Sequence, residues 1–72
     1  MKFSGERLRT FRQNAKLSLE QLARSVERNH GISLTKQAFL YYEQGQNCPK
    51  ADTLPALADV LGCTINDFFQ VA

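Results

Sequence analysis

The segment from Thr35 to Gln44 combines long hydrogen-bonding side chains with apolar bulk at helical spacing. If this segment is a helix, Phe39 and Tyr42 must point inward to meet the other apolar residues. At about 100° per residue, the outward face then carries five side chains, which are Lys36, Gln37, Leu40, Tyr41 and Gln44. In the DNA major groove, glutamine pairs with adenine, lysine reaches guanine, and apolar groups contact the thymine methyl. The face therefore has base-reading chemistry, although Leu40 or Tyr41 would equally pack against a neighbouring helix or a second subunit.

Other reactive side chains are sparse. His30 is the single histidine, in a predicted loop, and its nearest carboxylate in sequence is Glu27. Cys48 and Cys63 do not form a Cys-x-x-Cys pair; their number allows one disulfide, but the cytosolic location expected below argues against it. There is no glycine-rich phosphate loop and no paired-carboxylate motif. We therefore expect a protein that is not an enzyme, with no metal and no cofactor.

Length and charge narrow the class of protein further. The 72 residues, 43% hydrophobic and 22% charged, predict one small globular domain over residues 1–72. Without an apolar run or a leader-like start, we expect a cytoplasmic location. The net charge of +2 is uneven, because residues 1–16 carry five basic side chains against one acidic one, and residues 51–72 carry only three aspartates. This asymmetry allows one end to face a polyanion, although a solvated mixed surface gives the same count.

Apolar residues recur at helical spacing almost throughout, which predicts helices and no strands. Ser4 is a suitable N-cap for a first helix, and Ser18 followed by Gln21 is a capping box for a second. Thr35 caps the third, which ends at Gly45. A fourth helix is expected to start within residues 50–52, with Pro55 in its first turn, and to end at Gly62. A fifth is expected to begin at Thr64, with Asp67 three residues later as its partial capping box. The predicted fold is a compact, all-α, five-helix domain.

The chain resembles the phage repressor and Cro-like helix-turn-helix DNA-binding domains, also called lambda-repressor-like. Four pieces carry the resemblance in the same order, namely residues 8–12, residues 17–23, Tyr42-Glu43-Gln44-Gly45 with Pro49, and residues 54–69. The resemblance implies that the second and third helices form the helix-turn-helix, with the third in the major groove.

The resemblance also implies roles for particular residues. It places Lys36, Gln37, Leu40 and Tyr41 at base-reading positions. It places phosphate contacts at six positions, which are the helix starts after Ser18 and Thr35 and the side chains of Gln44, Gln46, Asn47 and Lys50. Arg12 and Glu43 occupy positions where such domains often have an ion pair between the first and third helices. We interpret that pair as structural.

Two features depart from the usual pattern. The stretch between Leu22 and Glu43 is longer than in typical members, and residues 27–32 account for the surplus. We expect the second helix to extend to about Asn29 and to turn at Gly31, with Ile32 and Leu34 packed on the core. In addition, Leu19 stands where some members have a phosphate-binding glutamine.

These observations together favour a repressor-like, sequence-specific regulator of transcription that binds double-stranded DNA as a homodimer on a palindromic operator. We expect the dimer surface at the C-terminal end, where Phe68, Phe69 and Val71 are apolar, with at least one of the two phenylalanines in the core because they lie three and four residues after Ile65. Two alternatives stay open at this point. One is an antitoxin or a restriction–modification controller, which also binds DNA, and the other is a protein-interaction module of the same fold without DNA binding.

Overall fold

A computed structural model describes residues 2–70, in which four α-helices are accompanied by one 3-10 helix and two short strands. In chain order the elements are β1 (Lys2–Phe3), α1 (Gly5–Asn14), α2 (Leu19–His30), α3 (Lys36–Glu43), α4 (Thr53–Leu61), the 3-10 helix (Ile65–Phe68) and β2 (Phe69–Gln70). The all-α class is therefore right in the main, but the predicted count of five α-helices is wrong.

The first three helices begin where their capping residues predict. The Ser4 hydroxyl accepts a hydrogen bond from the Arg7 N–H at 3.2 Å. Ser18 and Gln21 form the reciprocal capping box, with distances of 3.1 and 2.8 Å. The Thr35 hydroxyl accepts from the Ala38 N–H at 3.3 Å. Each cap satisfies one of the backbone donors that a helix start leaves unpaired.

The fourth helix starts at Thr53, slightly later than the predicted residues 50–52. Asp52 precedes it in a helical backbone conformation and makes no side-chain capping bond. Pro55 is the third helical residue, where its missing N–H has no partner to lose. Its place in the first turn is confirmed.

The end of the chain corrects two predictions. The fifth helix is a single 3-10 turn of four residues, which starts with the Asp67 carboxylate accepting from the Thr64 N–H at 2.9 Å. The backbone then becomes extended, and β2 pairs with β1 in antiparallel register, Phe3 opposite Phe69. The Phe3 ring lies 5.9 Å from that of Phe69 and 6.4 Å from that of Phe68. Two-residue strands are too short to show alternation, and their partners are at opposite ends of the chain, so periodicity missed them.

One apolar cluster lies between the helices. Six of its side chains are fully buried, which are Leu8, Leu22, Val26, Phe39, Leu57 and Phe68. α2 packs on both α3 and α4, and α1 packs on α3. Burying each such side chain contributes about 1.5–3 kcal/mol before the entropy cost of ordering it.

The burial of Phe68 removes one residue from the expected dimer surface. Phe68 has no exposed area, and Phe69 is half-buried against the core. A fully buried ring has no area left for a second subunit. Val71, the third residue of that surface, lies outside the described residues.

The connection from α2 to α3 has the predicted form. α2 ends at His30, and Gly31 adopts a left-handed conformation with φ of 68°, which favours glycine. Ile32 and Leu34 are half-buried and pack against the core cluster. His30 Nε2 lies 2.9 Å from Asp59 Oδ2, so the lengthened helix is also tied to α4.

Candidate nucleic-acid interface

α3 buries one face and leaves another open. Phe39 is fully buried and Tyr42 is 8% exposed, with their rings in an edge-to-face contact at 5.7 Å. On other sides of the helix, Lys36 and Gln37 are exposed, while Leu40 is half-buried. Tyr41 is half-buried too, and Gln44 at the C-cap is exposed. The open face thus carries a cation and amides beside partly covered apolar side chains.

The starts of α2 and α3 border one shallow depression of about 310 Å³. Six residues line it, which are Ser18, Leu19, Glu20, Lys36, Gln37 and Leu40. The caps satisfy the amides of Gln21 and Ala38, whereas the earlier N–H groups of each helix have no intrahelical partner. The N–H groups at each helix start favour an anion such as a phosphate, although the exposed Glu20 carboxylate, 3.1 Å from Arg24 Nη2, also lies in the first turn of α2.

A second depression, of about 220 Å³, adjoins the first, because Leu19 and Leu40 line both. Gln44 is part of its lining, and so is Arg9 of α1, whose side chain is exposed. Arg9 is absent from the residues that the sequence singled out. The excess of basic residues in positions 1–16 was its only signal, since nothing local distinguishes Arg9 from the other arginines of α1.

The Arg12 and Glu43 side chains form a buried, two-pronged ion pair between α1 and α3. Arg12 Nε donates to Glu43 Oε2 at 2.5 Å, and Arg12 Nη2 donates to Oε1 at 3.1 Å. Arg12 Nη1 donates to the Leu17 carbonyl at 2.8 Å. The side chains are 13% and 4% exposed. The guanidinium therefore joins α1, α3 and the α1–α2 turn, and three of its five N–H donors are engaged in these bonds.

Gly5 brings α1 close to the end of α3. A Cβ atom at this position would lie within 2.5 Å of the Glu43 carbonyl oxygen, and the Tyr42 carbonyl oxygen would be closer still. Only glycine allows this approach of two backbones. The contact sets the orientation of α3 at the opposite end from its exposed start.

The loop after α3 contains the other predicted phosphate residues, and it faces elsewhere. Gln46 Nε2 donates to Gln44 Oε1 at 3.3 Å. Gln46 and Asn47 line a separate depression with Lys2 and Phe3 of β1. Lys50, toward the end of this loop, is exposed. The structure thus groups Ser18, Lys36, Gln37, Leu40 and Gln44 around adjoining depressions, with Thr35 at the start of α3, whereas Gln46, Asn47 and Lys50 lie on the loop.

Among the described residues, Tyr42 and Cys63 have raised pKa values, and both side chains lie away from the exposed face of α3. Burial raises the pKa of the Tyr42 hydroxyl above its ordinary value of 10.0, and Asp52 and Cys48 raise it further. Burial also raises the pKa of the Cys63 thiol above 9.0, with a smaller contribution from Asp67. A thiol that stays protonated is a poor nucleophile and a poor metal ligand.

Residues 2–70 contain no cluster of three or more histidine, cysteine, aspartate or glutamate side chains placed to hold a metal ion. Within the same range, no helix has the length and apolar character required to span a membrane.

The geometry defines a class of protein, a small helical domain with a helix-turn-helix at α2 and α3. Residues 5–67 match the model of a helix-turn-helix domain family, and the chain belongs to that family. Within that family, the chain resembles phage repressors. A crystal structure of the P22 c2 repressor protein in complex with synthetic operator 9T superposes with a TM-score of 0.79 at 26% identity, covering 97% of both chains.

A second solved structure is also similar. The solution structure of the DNA-binding domain of the P22 c2 repressor gives a TM-score of 0.74 at 26% identity, covering 99% of this chain and 92% of that one. No curated protein matches this chain.

Proposed function

We propose that this protein is a repressor-like regulator of transcription that binds specific sequences of double-stranded DNA. α3 lies in the major groove with its N-terminal residues at the base edges, and two copies bind a palindromic operator. The observation that carries the proposal is the open face of α3 beside the start of α2, where base-reading side chains adjoin unpaired backbone donors. The similarity to a repressor in complex with operator DNA supports the same arrangement.

The division of labour follows from the chemistry of each residue. Lys36, Gln37, Leu40 and Tyr41 contact base edges, and the amides that follow Ser18 and Thr35 bind the phosphates on either side. Gln44 and the exposed Arg9 extend the phosphate contacts, and Gln46, Asn47 and Lys50 contact the phosphate backbone from the loop after α3. Arg12 and Glu43 hold α3 at its angle and do not touch DNA.

The test is selection of bound sites from random duplex DNA at a stated salt concentration. A palindromic consensus supports both sequence reading and dimeric binding. The affinity for that consensus should fall with salt, with a slope of about −0.9 per phosphate neutralised. Absence of enriched sites would refute the proposal and favour the protein-interaction module.

Gln37 offers the sharpest test of base reading. A bidentate glutamine–adenine pair contributes about 1–3 kcal/mol of discrimination, so Gln37→Ala should weaken binding by this amount and relax selectivity at one base pair. Asn66→Ala is a matched control, because Asn66 is an exposed amide in the 3-10 helix, which packs on α1 and α4. Equal weakening on all sequences would mean that Gln37 contacts only the DNA backbone.

A further inference from the structure

The turn between α1 and α2 contains a lysine in a backbone conformation that favours glycine. Lys16 has a φ of 59°, and it is the one residue other than glycine with a positive φ in the part of the chain that the structure describes. Its side chain is exposed. A left-handed backbone brings the Cβ atom of an L-residue too close to a carbonyl oxygen, and glycine avoids this strain. Lysine at this position therefore makes the fold less stable than glycine would.

Hydrogen bonds on both sides of Lys16 fix the strained conformation. The Lys16 N–H donates to the Gln13 carbonyl at 3.0 Å, and the Leu17 N–H donates to the Arg12 carbonyl at 3.2 Å. The Arg12 guanidinium in turn donates to the Leu17 carbonyl at 2.8 Å. The surrounding structure thus holds residue 16 left-handed whichever side chain it carries. Strained residues that are held in this way cluster where proteins bind ligands.

The fold itself gives no reason for a cation at this position. Among residues 2–70, the Lys16 ammonium forms no ion pair with a carboxylate. The dipoles of the flanking helices do not select a lysine either, because the C-terminal end of α1 attracts a cation whereas the N-terminal end of α2 repels one. The side chain therefore lowers stability without a charged partner in this range, and its chemistry fits an anion that binds the protein.

The turn borders the open face that α2 and α3 present. Ser18, two residues after Lys16, lines the first depression, and Arg12, which is bonded to the Leu17 carbonyl, lines the second. The first turn of α2 also carries the Glu20 carboxylate, which repels a phosphate. Its ion pair with Arg24 offsets part of that repulsion, and a lysine at the adjoining turn adds a positive charge on the same border.

We infer that Lys16 is a phosphate contact of the DNA complex, at which the protein loses folding stability and gains affinity. This inference rests on the proposed function. Duplex DNA offers a regular array of phosphates, and a lysine ammonium attracts a phosphate as a point charge. Such a contact carries no preference for one base over another.

Lys16→Gly should move stability and affinity in opposite directions. Relief of the strain should raise the ratio of folded to unfolded protein by about two- to fivefold in urea denaturation. Loss of a phosphate contact should weaken binding about equally on all duplex sequences. The slope of log affinity against log salt should fall by about 0.9 per copy, so for a dimer the ratio of wild-type to variant affinity should shrink by about twelvefold between about 50 mM and about 200 mM salt.

Two further variants are controls for charge and for position. Lys16→Arg keeps the positive charge in the same backbone conformation, so it should keep the salt slope of the wild type. Arg28→Gln removes an exposed cation from the last turn of α2, at the opposite end from the proposed phosphate contacts, and should leave the slope unchanged. All four proteins are measured on the selected duplex and on a duplex of unrelated sequence.

The outcomes separate this inference from the proposed function. If Lys16→Gly is more stable but binds the selected duplex with unchanged affinity and salt slope, the phosphate contact is refuted and sequence-specific DNA binding stands. A changed preference at one base pair, or an equal loss of slope in Lys16→Arg, overturns it as well. A Lys16→Gly variant that is no more stable than the wild type refutes the loss of stability at this turn. If the wild-type protein binds no duplex with sequence preference, the proposed function fails, and the contact fails with it.

Discussion

Removing the Arg12 guanidinium tests whether the ion pair with Glu43 holds the fold or serves DNA binding. Arg12→Met keeps much of the apolar stem but deletes the two bonds to the Glu43 carboxylate and the bond to the Leu17 carbonyl. The carboxylate, 4% exposed, is then left without its partner.

The expected cost is large for a domain of this size. Leaving one member of a buried ion pair unpaired costs about 3–5 kcal/mol, and the 13% exposure of Arg12 places this pair at the lower end, near 3 kcal/mol. A domain of this length has roughly 3–5 kcal/mol of net stability in total. Arg12→Met should therefore be partly unfolded at 25 °C. Replacing both partners, in Arg12→Met with Glu43→Leu, should recover most of the loss, because no buried charge then lacks a partner.

Urea denaturation followed by circular dichroism at 222 nm measures these differences. Arg9→Met is the matched control, since Arg9 is an exposed arginine on the same helix and should change the unfolding free energy by less than about 0.5 kcal/mol. A fully stable Arg12→Met variant with an altered DNA site would refute the structural interpretation. If the double variant is no more stable than Arg12→Met, the lost unfolding free energy does not come from an unpaired charge.

Three further predictions concern stability. Gly5→Ala should cost about 1–3 kcal/mol in urea denaturation, because the new Cβ meets the carbonyl oxygens at the end of α3; an unchanged midpoint would contradict that close approach. Lys16 has a left-handed φ of 59°, so Lys16→Gly should raise the unfolding free energy in urea by about 0.5–1 kcal/mol. A lower unfolding free energy would mean that the lysine side chain contributes more than the backbone strain costs. Tyr42 and Cys63 have higher pKa values in the folded state than in the unfolded state, so the folded state holds their protons more tightly. The free energy of unfolding should therefore be constant below about pH 9 and fall as the pH rises through the folded-state pKa values. Tyr42→Phe should show a smaller loss between about pH 8 and about pH 11 than the wild type, and an equal loss would assign the effect elsewhere.

The sequence was sufficient where structure depends on neighbouring residues. The hydroxyls of Ser4, Ser18 and Thr35 cap helices because the amide that each one binds lies three residues away. Gly31 ends α2 because a left-handed residue is required there. The same local logic placed Phe39 inside and Lys36 and Gln37 outside, since the faces of one helix follow from its spacing alone.

Local patterns failed where distant segments decide the backbone. The last helix is cut to one turn because Phe69 becomes extended to pair with Phe3, sixty-six residues earlier. No short stretch of sequence contains both partners, so neither the strand pairing nor the shortening of the last helix could be predicted from local patterns. The buried position of Phe68 follows from the same closure, and it removes that ring from any surface.

The sequence by itself determined the first three helices, their caps and the chemistry of the face that α3 turns outward, because each depends on residues a few positions apart. Only the tertiary structure decided that Leu19 of α2 lies beside Leu40 of α3, that Arg9 joins them, and that Gln46 and Asn47 face another depression. These neighbours are set by how helices cross over the shared core. That crossing depends on packing, including the approach that Gly5 permits and the ion pair between Arg12 and Glu43.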